Sequence, residues 1–199
     1  MFPIAHTHIA SAALGTQNSN LIVGAILPDA SISGLTTYIG AVLNPKPTDE
    51  SGITFYDMHP QARARVLLSS MQSREVARGI LTHSIADTVS HGGDDVSREH
   101  YDWRHPTAYS FGGERGWWGK RFPRLNVNKY TFGMVLHNFA EVMLDAYVAQ
   151  TRPEIISLLE NAIRQADAEQ IGTALAEALQ KKPKVVVANV HAYLASKAT

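Results

Sequence analysis

Within residues 82–95, THSIADTVSHGGDD, the side chains of His83, Asp87 and His91 recur at intervals of four. On an α-helix a step of four residues turns about 400° and rises about 6 Å, so these three groups leave the helix along nearly one line. A second pair at the same spacing, His137 and Glu141, lies in LHNFAEVMLDAYV. Two further candidate segments stand near the N-terminus: HTHIA, with His6 and His8, and GAILPDA, where Asp29 follows Pro28. A lone i,i+4 polar pair is ordinarily an exposed hydrogen-bonded pair. Here the pairs repeat, and they sit among apolar residues: Val76, Ile80, Leu81 and Ile85 around the first, Val135, Leu136, Phe139, Val142 and Met143 around the second. Burying imidazoles and carboxylates costs several kcal/mol per unpaired charge, so they must pair with one another or be neutralised by a cation. Nitrogen and oxygen donors without sulfur suit Zn²⁺ first, and Mn²⁺ or Fe²⁺ second.

Composition narrows the chemistry further. The 199-residue chain has no cysteine, which removes thiolate nucleophiles, disulfides and Cys-zinc sites. Its 18 basic and 18 acidic residues balance, so no global field recruits nucleic acid or an anionic membrane, and any polyanion must be bound locally. There is no His-Glu-x-x-His of a zincin protease, no Glu-x-x-His of a di-iron bundle and no adjacent His-Asp of a phosphohydrolase. MFPIAHTHIA lacks a charged leader, and no apolar run approaches the roughly 20 residues of a membrane helix, so a cytoplasmic location is expected.

The elements that must carry these groups are helices. Apolar periodicity predicts them over 7–16, 17–27, 61–72, 73–91, 128–150, 153–165, 166–181 and 183–196, and strand alternation is hard to find. Gly92 and Gly93 supply a stop after the comb, while Pro60 and Pro153 sit where a first helical residue belongs. Segments 28–58 and 94–127, rich in Gly, Pro, Asp and Ser, read as long surface excursions. The expected architecture is a single-domain, all-α multi-helix bundle with a metal cluster between helices. Residues 1–150 form the metal-binding core, and 151–199 add C-terminal helices that complete the core or form a homodimer surface.

Taken in order, H-x-x-I-A, G-A-I-L-P-D, an isolated His59, H-S-I-A-D-T-V-S-H and H-N-F-A-E resemble the zinc-dependent phospholipase C and single-strand nuclease superfamily, from residue 1 to about 145. The resemblance implies an all-helical domain holding up to three zinc ions. It places His83 and Asp87 with Asp29 and His59 at one ion. Asp87 then bridges to another, held by His6 and by the amine and carbonyl of Met1, and His91, His137 and Glu141 hold the remaining one. The chain departs from the family pattern in its long interval between Asp29 and His59, which leaves His100 and His105 as substitutes. The short step from Asp87 to His91 is a second departure. His8 competes with His6, although only His6 has the family's spacing to the Ile-Ala pair.

The implied reaction is hydrolysis of a phosphoric ester by a hydroxide generated between ions that Asp87 bridges, with Asp29 orienting that nucleophile or acting as base. Residues 100–132 hold Trp103, Trp117 and Trp118 together with Arg104, Arg115, Lys120, Arg121 and Arg124. Aromatic rings there can stack a base or cage a cationic head group, and Arg115 with its neighbours can read phosphate. The same tryptophans can instead pin a loop to the core. Three functions follow: a phospholipase C-like phosphodiesterase acting on a small phosphate ester or lipid head group, a single-strand nuclease, and a metal-stabilised protein that cleaves nothing.

Overall fold

A computed structural model of the chain describes residues 3–31, 52–53, 55–90 and 141–198. Every regular element among them is helical, and none of these helices is long and apolar enough to cross a membrane.

Helix α1 (Pro3–Leu14) begins with a proline, whose missing N–H costs nothing in a first turn. The next two orphan donors are met from far along the chain: Asp145 accepts from the backbone N–H of Ala5 at 2.8 Å and of Ile4 at 3.4 Å. Helix α2 (Ser19–Ile26) is capped locally, the Asn18 side chain accepting from the N–H groups of Asn20 and Leu21. All of Leu21 to Ile26 is buried, as befits a helix that is apolar all round. It packs on α5 (Arg74–Ser90) most extensively, and on α1 and α7 (Glu154–Gln165).

The α2–α5 crossing is made by two glycines. A Cβ on Gly24 would lie 2.1 Å from the carbonyl oxygen of Val76, and one on Gly79 would lie 2.1 Å from that of Leu21. Backbone therefore meets backbone, and α5 approaches the C-terminus of α2 closely enough for side chains one turn further on to reach it.

Segment 28–58 is not wholly a surface excursion. A 3₁₀ turn (Leu27–Ser31) runs straight on from α2, and a single helical turn, α3 (Phe55–Met58), precedes α4 (Gln61–Ser70). Leu27, Asp29, Ile53, Met58 and His59 are all buried. The excursion read from composition thus has ends that are part of the interior, because each end delivers a polar group inward. Pro60 is the N-cap of α4 and Pro153 that of α7, each one residue earlier than a first helical position.

Among the described residues, 141–151 are helical (α6). Helix α8 (Ala168–Leu179) is capped by Asp167 and ended by Gln180 in the left-handed region at φ 57°, and α9 (Pro183–Lys197) folds back on α8. One continuous apolar cluster joins Leu21, Ile22 and Ile26 of α2 and Val76 and Ile80 of α5 to Leu159, Leu175, Val190 and Tyr193 of the C-terminal helices. These last helices are therefore part of the same core, and they lie against the segments that carry Asp29 and His59.

Candidate metal centre

The comb residue His83 is wholly buried on α5, one turn beyond Gly79. Its Nδ1–H donates to the carbonyl oxygen of Ala25 at 2.8 Å, one of the carbonyls left without an intrahelical partner at the end of α2. That bond fixes the ring and turns Nε2 toward the two carboxylates, the orientation seen for metal-ligating histidines, where the ion takes the place of a proton. Ser84, the next residue, donates its hydroxyl to the backbone carbonyl of His59. One turn further along α5, Asp87 divides its carboxylate. Oδ2 lies 3.2 Å from His83 Nε2 and 3.8 Å from His59 Nε2, while Oδ1 lies 3.3 Å from His6 Nε2. From the 3₁₀ turn, Asp29 Oδ1 stands 3.8 Å from His59 Nε2 and 3.9 Å from His83 Nε2. The His6 and His83 rings stack with centroids 3.8 Å apart, and His59 meets His83 edge-on at 5.1 Å.

Five side chains from four elements thus face one another. Four are buried, and Asp87, at 15 % side-chain exposure, is the most accessible. Two overlapping sets can each bring three donor atoms within 4.8 Å of one another: His6, Asp29 and His83, and His59, His83 and Asp87.

The electrostatics follow from this packing. Burial opposes protonation of His83, yet the Asp87 and Asp29 carboxylates outweigh it and push the imidazole up to about 9. For His59 burial wins, with His83 acting in the same direction, and its pKa falls despite the hydrogen bond with Asp29. Burial would raise both carboxyls, but the charge of the amino terminus, then His59, His83 and His6, for Asp29, and His83 and His6 for Asp87, hold them well below the usual range.

The donors fit a small divalent ion. Ligands about 2.0–2.1 Å from a tetrahedral zinc stand roughly 3.3 Å from one another, and the Asp29, His59, His83 and Asp87 donor atoms stand 3.2 to 3.9 Å apart along four sides of a ring. The buried nitrogen His83 Nε2 makes no hydrogen bond and stands 3.2 Å from Asp87 Oδ2 and 3.9 Å from Asp29 Oδ1. Leaving such an atom unsatisfied costs about 1–3 kcal/mol, a cost that coordination removes.

Of the residues singled out in the sequence, the structure brings together His6, Asp29, His59, His83 and Asp87. His8 is on α1 but in neither donor set among the described residues, so His6 is the member of the pair that reaches the cluster. Glu141 is half-buried on α6 and also belongs to neither set. Met1, His91, His137, Trp103, Arg115, Trp117 and Trp118, and the substitutes His100 and His105, lie outside the described residues. Sequence reasoning missed Ser84, the Ala25 carbonyl and Gln61, whose amide is buried two residues from His59 with neither its nitrogen nor its oxygen hydrogen-bonded. Only Gln61 carried a signal, a polar side chain entering a helix directly after His-Pro. No family model, curated protein or solved structure matches the chain.

Proposed function

We propose that this protein is a metal-dependent hydrolase of phosphoric esters, a phospholipase C-like phosphodiesterase that carries zinc between α1, the 3₁₀ turn Leu27–Ser31, the end of α3 and α5. The observation that supports it most is the division of Asp87, one oxygen toward His6 and the other toward His59 and His83. A carboxylate so placed is suited to bridging two ions. His59, His83 and Asp29 would complete one site with Asp87 Oδ2, and His6 would serve the other with Oδ1. Ions held there supply a lowered pKa for water and stabilise charge that develops on phosphoryl oxygens.

The protein's own groups do the rest. The Ala25 carbonyl holds the His83 ring with Nε2 presented to the cluster. Asp29 is deeply buried, with its carboxyl held low, which suits it to orient a neighbour and unsuits it to take a proton near neutral pH. Asp87, the more accessible carboxylate, marks the side from which substrate reaches the cluster. The choice of a phosphoric ester rests on the ordered motifs that resemble the zinc-dependent phospholipase C and single-strand nuclease superfamily.

The test is metal analysis of the purified protein, followed by assay against bis(p-nitrophenyl) phosphate, phosphatidylcholine and single-stranded DNA. The expected result is bound zinc and turnover of a phosphodiester that a chelator abolishes and zinc restores. Cleavage of DNA alone, weakening steeply with salt, would assign the nuclease activity instead. Bound zinc with all three substrates intact would leave a metal-stabilised protein that is not a hydrolase.

A further inference from the structure

Two of the five clustered groups, Asp29 and His59, come from short elements: a 3₁₀ turn and the residue that follows a single helical turn. Elements of one turn hold their shape poorly alone, since one turn fixes many dihedral angles for few hydrogen bonds. Both are tied to the C-terminal helices instead, a part of the chain outside the motifs that carry the family resemblance. Tyr193 of α9, itself buried, donates its hydroxyl to the carbonyl of Ile26 at 2.7 Å, immediately before the turn that bears Asp29. Lys181, between α8 and α9, donates its ammonium both to the Asp57 carboxylate and to the Gly52 carbonyl. Side-chain exposures of 9 % and 14 % for Lys181 and Asp57 take that pair out of the class of solvated surface bridges. Asn189 of α9 accepts from the N–H of Ile53 at 3.0 Å. Gly52 is in the left-handed region at φ +67°, and a Cβ on it would fall 2.0 Å from the Asn189 oxygen, so the segment is fitted closely to α9.

We propose that Tyr193 and Lys181 are positioning residues of the metal centre: Tyr193 sets Asp29 through Ile26, and Lys181 sets His59 through Asp57. The inference rests on the metal reading above and extends it to helices that the motifs do not reach. Neither residue touches the cluster. Each holds the backbone that aims a ligand, and loss of such a support typically weakens metal binding by about ten- to a hundredfold.

The experiment loads the full-length protein with Co²⁺ and Zn²⁺ and follows two readouts that do not depend on turnover: the visible spectrum of the Co²⁺ form, and Zn²⁺ affinity by chelator competition. Tyr193→Phe removes one oxygen and keeps the ring, so the core remains filled. Lys181→Met removes the ammonium, and Lys181→Arg returns a cation to the same place. Ile163→Val, a core change on α7 away from both contacts, controls for general loss of stability. The expected result is a Zn²⁺ affinity lower by about tenfold or more in Tyr193→Phe and Lys181→Met, a weakened Co²⁺ band in both, recovery in Lys181→Arg and no change in Ile163→Val. Wild-type affinity and spectrum in both Tyr193→Phe and Lys181→Met would overturn the positioning role and leave the metal centre standing. A wild-type protein that binds neither ion would overturn the metal centre and the positioning role with it.

Discussion

Gly24 and Gly79 face one another's helices across the α2–α5 crossing with no space for a methyl group on either. In a helix interior, alanine ordinarily improves on glycine by about 1 kcal/mol. Here a Cβ at position 79 would lie 2.1 Å from the Leu21 carbonyl oxygen, and a backbone atom cannot swing aside. The clash outweighs the propensity, so Gly79→Ala should destabilise the fold by about 1–3 kcal/mol or more. Urea denaturation checks this. The same variant should also bind zinc less tightly, because spreading the two helices draws His83 away from Ala25.

Asp87 reaches three other members of the cluster, His6, His59 and His83, and divides its two oxygens among them. Asp87→Ala should remove more than one equivalent of zinc and reduce phosphodiester turnover to background. His6→Ala should remove about one equivalent and spare the ion that His59 and His83 serve. His8→Ala, on the same helix but outside the cluster, should leave both metal content and turnover unchanged. Metal analysis of the three variants decides the matter, and equal zinc in all of them would contradict the bridging role of Asp87.

Acidity should affect the metal-free and zinc-loaded proteins in opposite ways. A histidine whose pKa rises on folding contributes stability that is complete below its unfolded value of 6.5 and lost as pH climbs through the folded value, about 9 for His83. Asp29 and Asp87 are held low, so their contribution is present above the ordinary carboxylate pKa near 3.9 and lost as pH falls below it. His59, whose pKa falls on folding, acts in the opposite sense and withdraws stability as pH drops below 6.5, so the chelated protein should melt highest near about pH 6.5 and weaken toward pH 9. Zinc competes with the proton on His83, so its affinity should increase over that same interval. Parallel melting curves with zinc and with chelator, from pH 5 to 9, would show that His83 binds no ion.

The capping of α1 by Asp145, next to His6, gives a stability test that needs no metal. Asp145→Ala leaves the Ala5 and Ile4 donors without their acceptor and should cost about 1 kcal/mol. Asparagine, also a good cap, should recover most of it. Thermal melts of the two variants at pH 7 suffice, and equal loss in both would mean that charge matters more than the hydrogen bonds.

Much of this arrangement was legible in the residues, and what was not has a common physical cause. His83 and Asp87 could be paired from spacing alone, because the helical period puts them on one face whatever the rest of the chain does. The helix expected over 73–91 is found at Arg74–Ser90, and that over 153–165 at Glu154–Gln165. Helix α1 starts earlier than the expected 7–16, since its cap, Asp145, lies 140 residues downstream of Ala5, where no local signal reaches. Asp29 and His59 sit on elements too short to leave a periodic trace, and only the order of motifs suggested them. The Ala25 carbonyl that orients His83, and the Tyr193 and Lys181 contacts, depend on backbone positions that exist only after the helices have packed.

The bond from Ser84 to the His59 carbonyl has a mechanical corollary. Ser84 adjoins His83 on one helix, so the His59 backbone is tied to the element that carries the His83 ring. Such coupled ligands leave together. On warming, the ion that His59 and His83 serve should depart in one abrupt event that coincides with melting of α5.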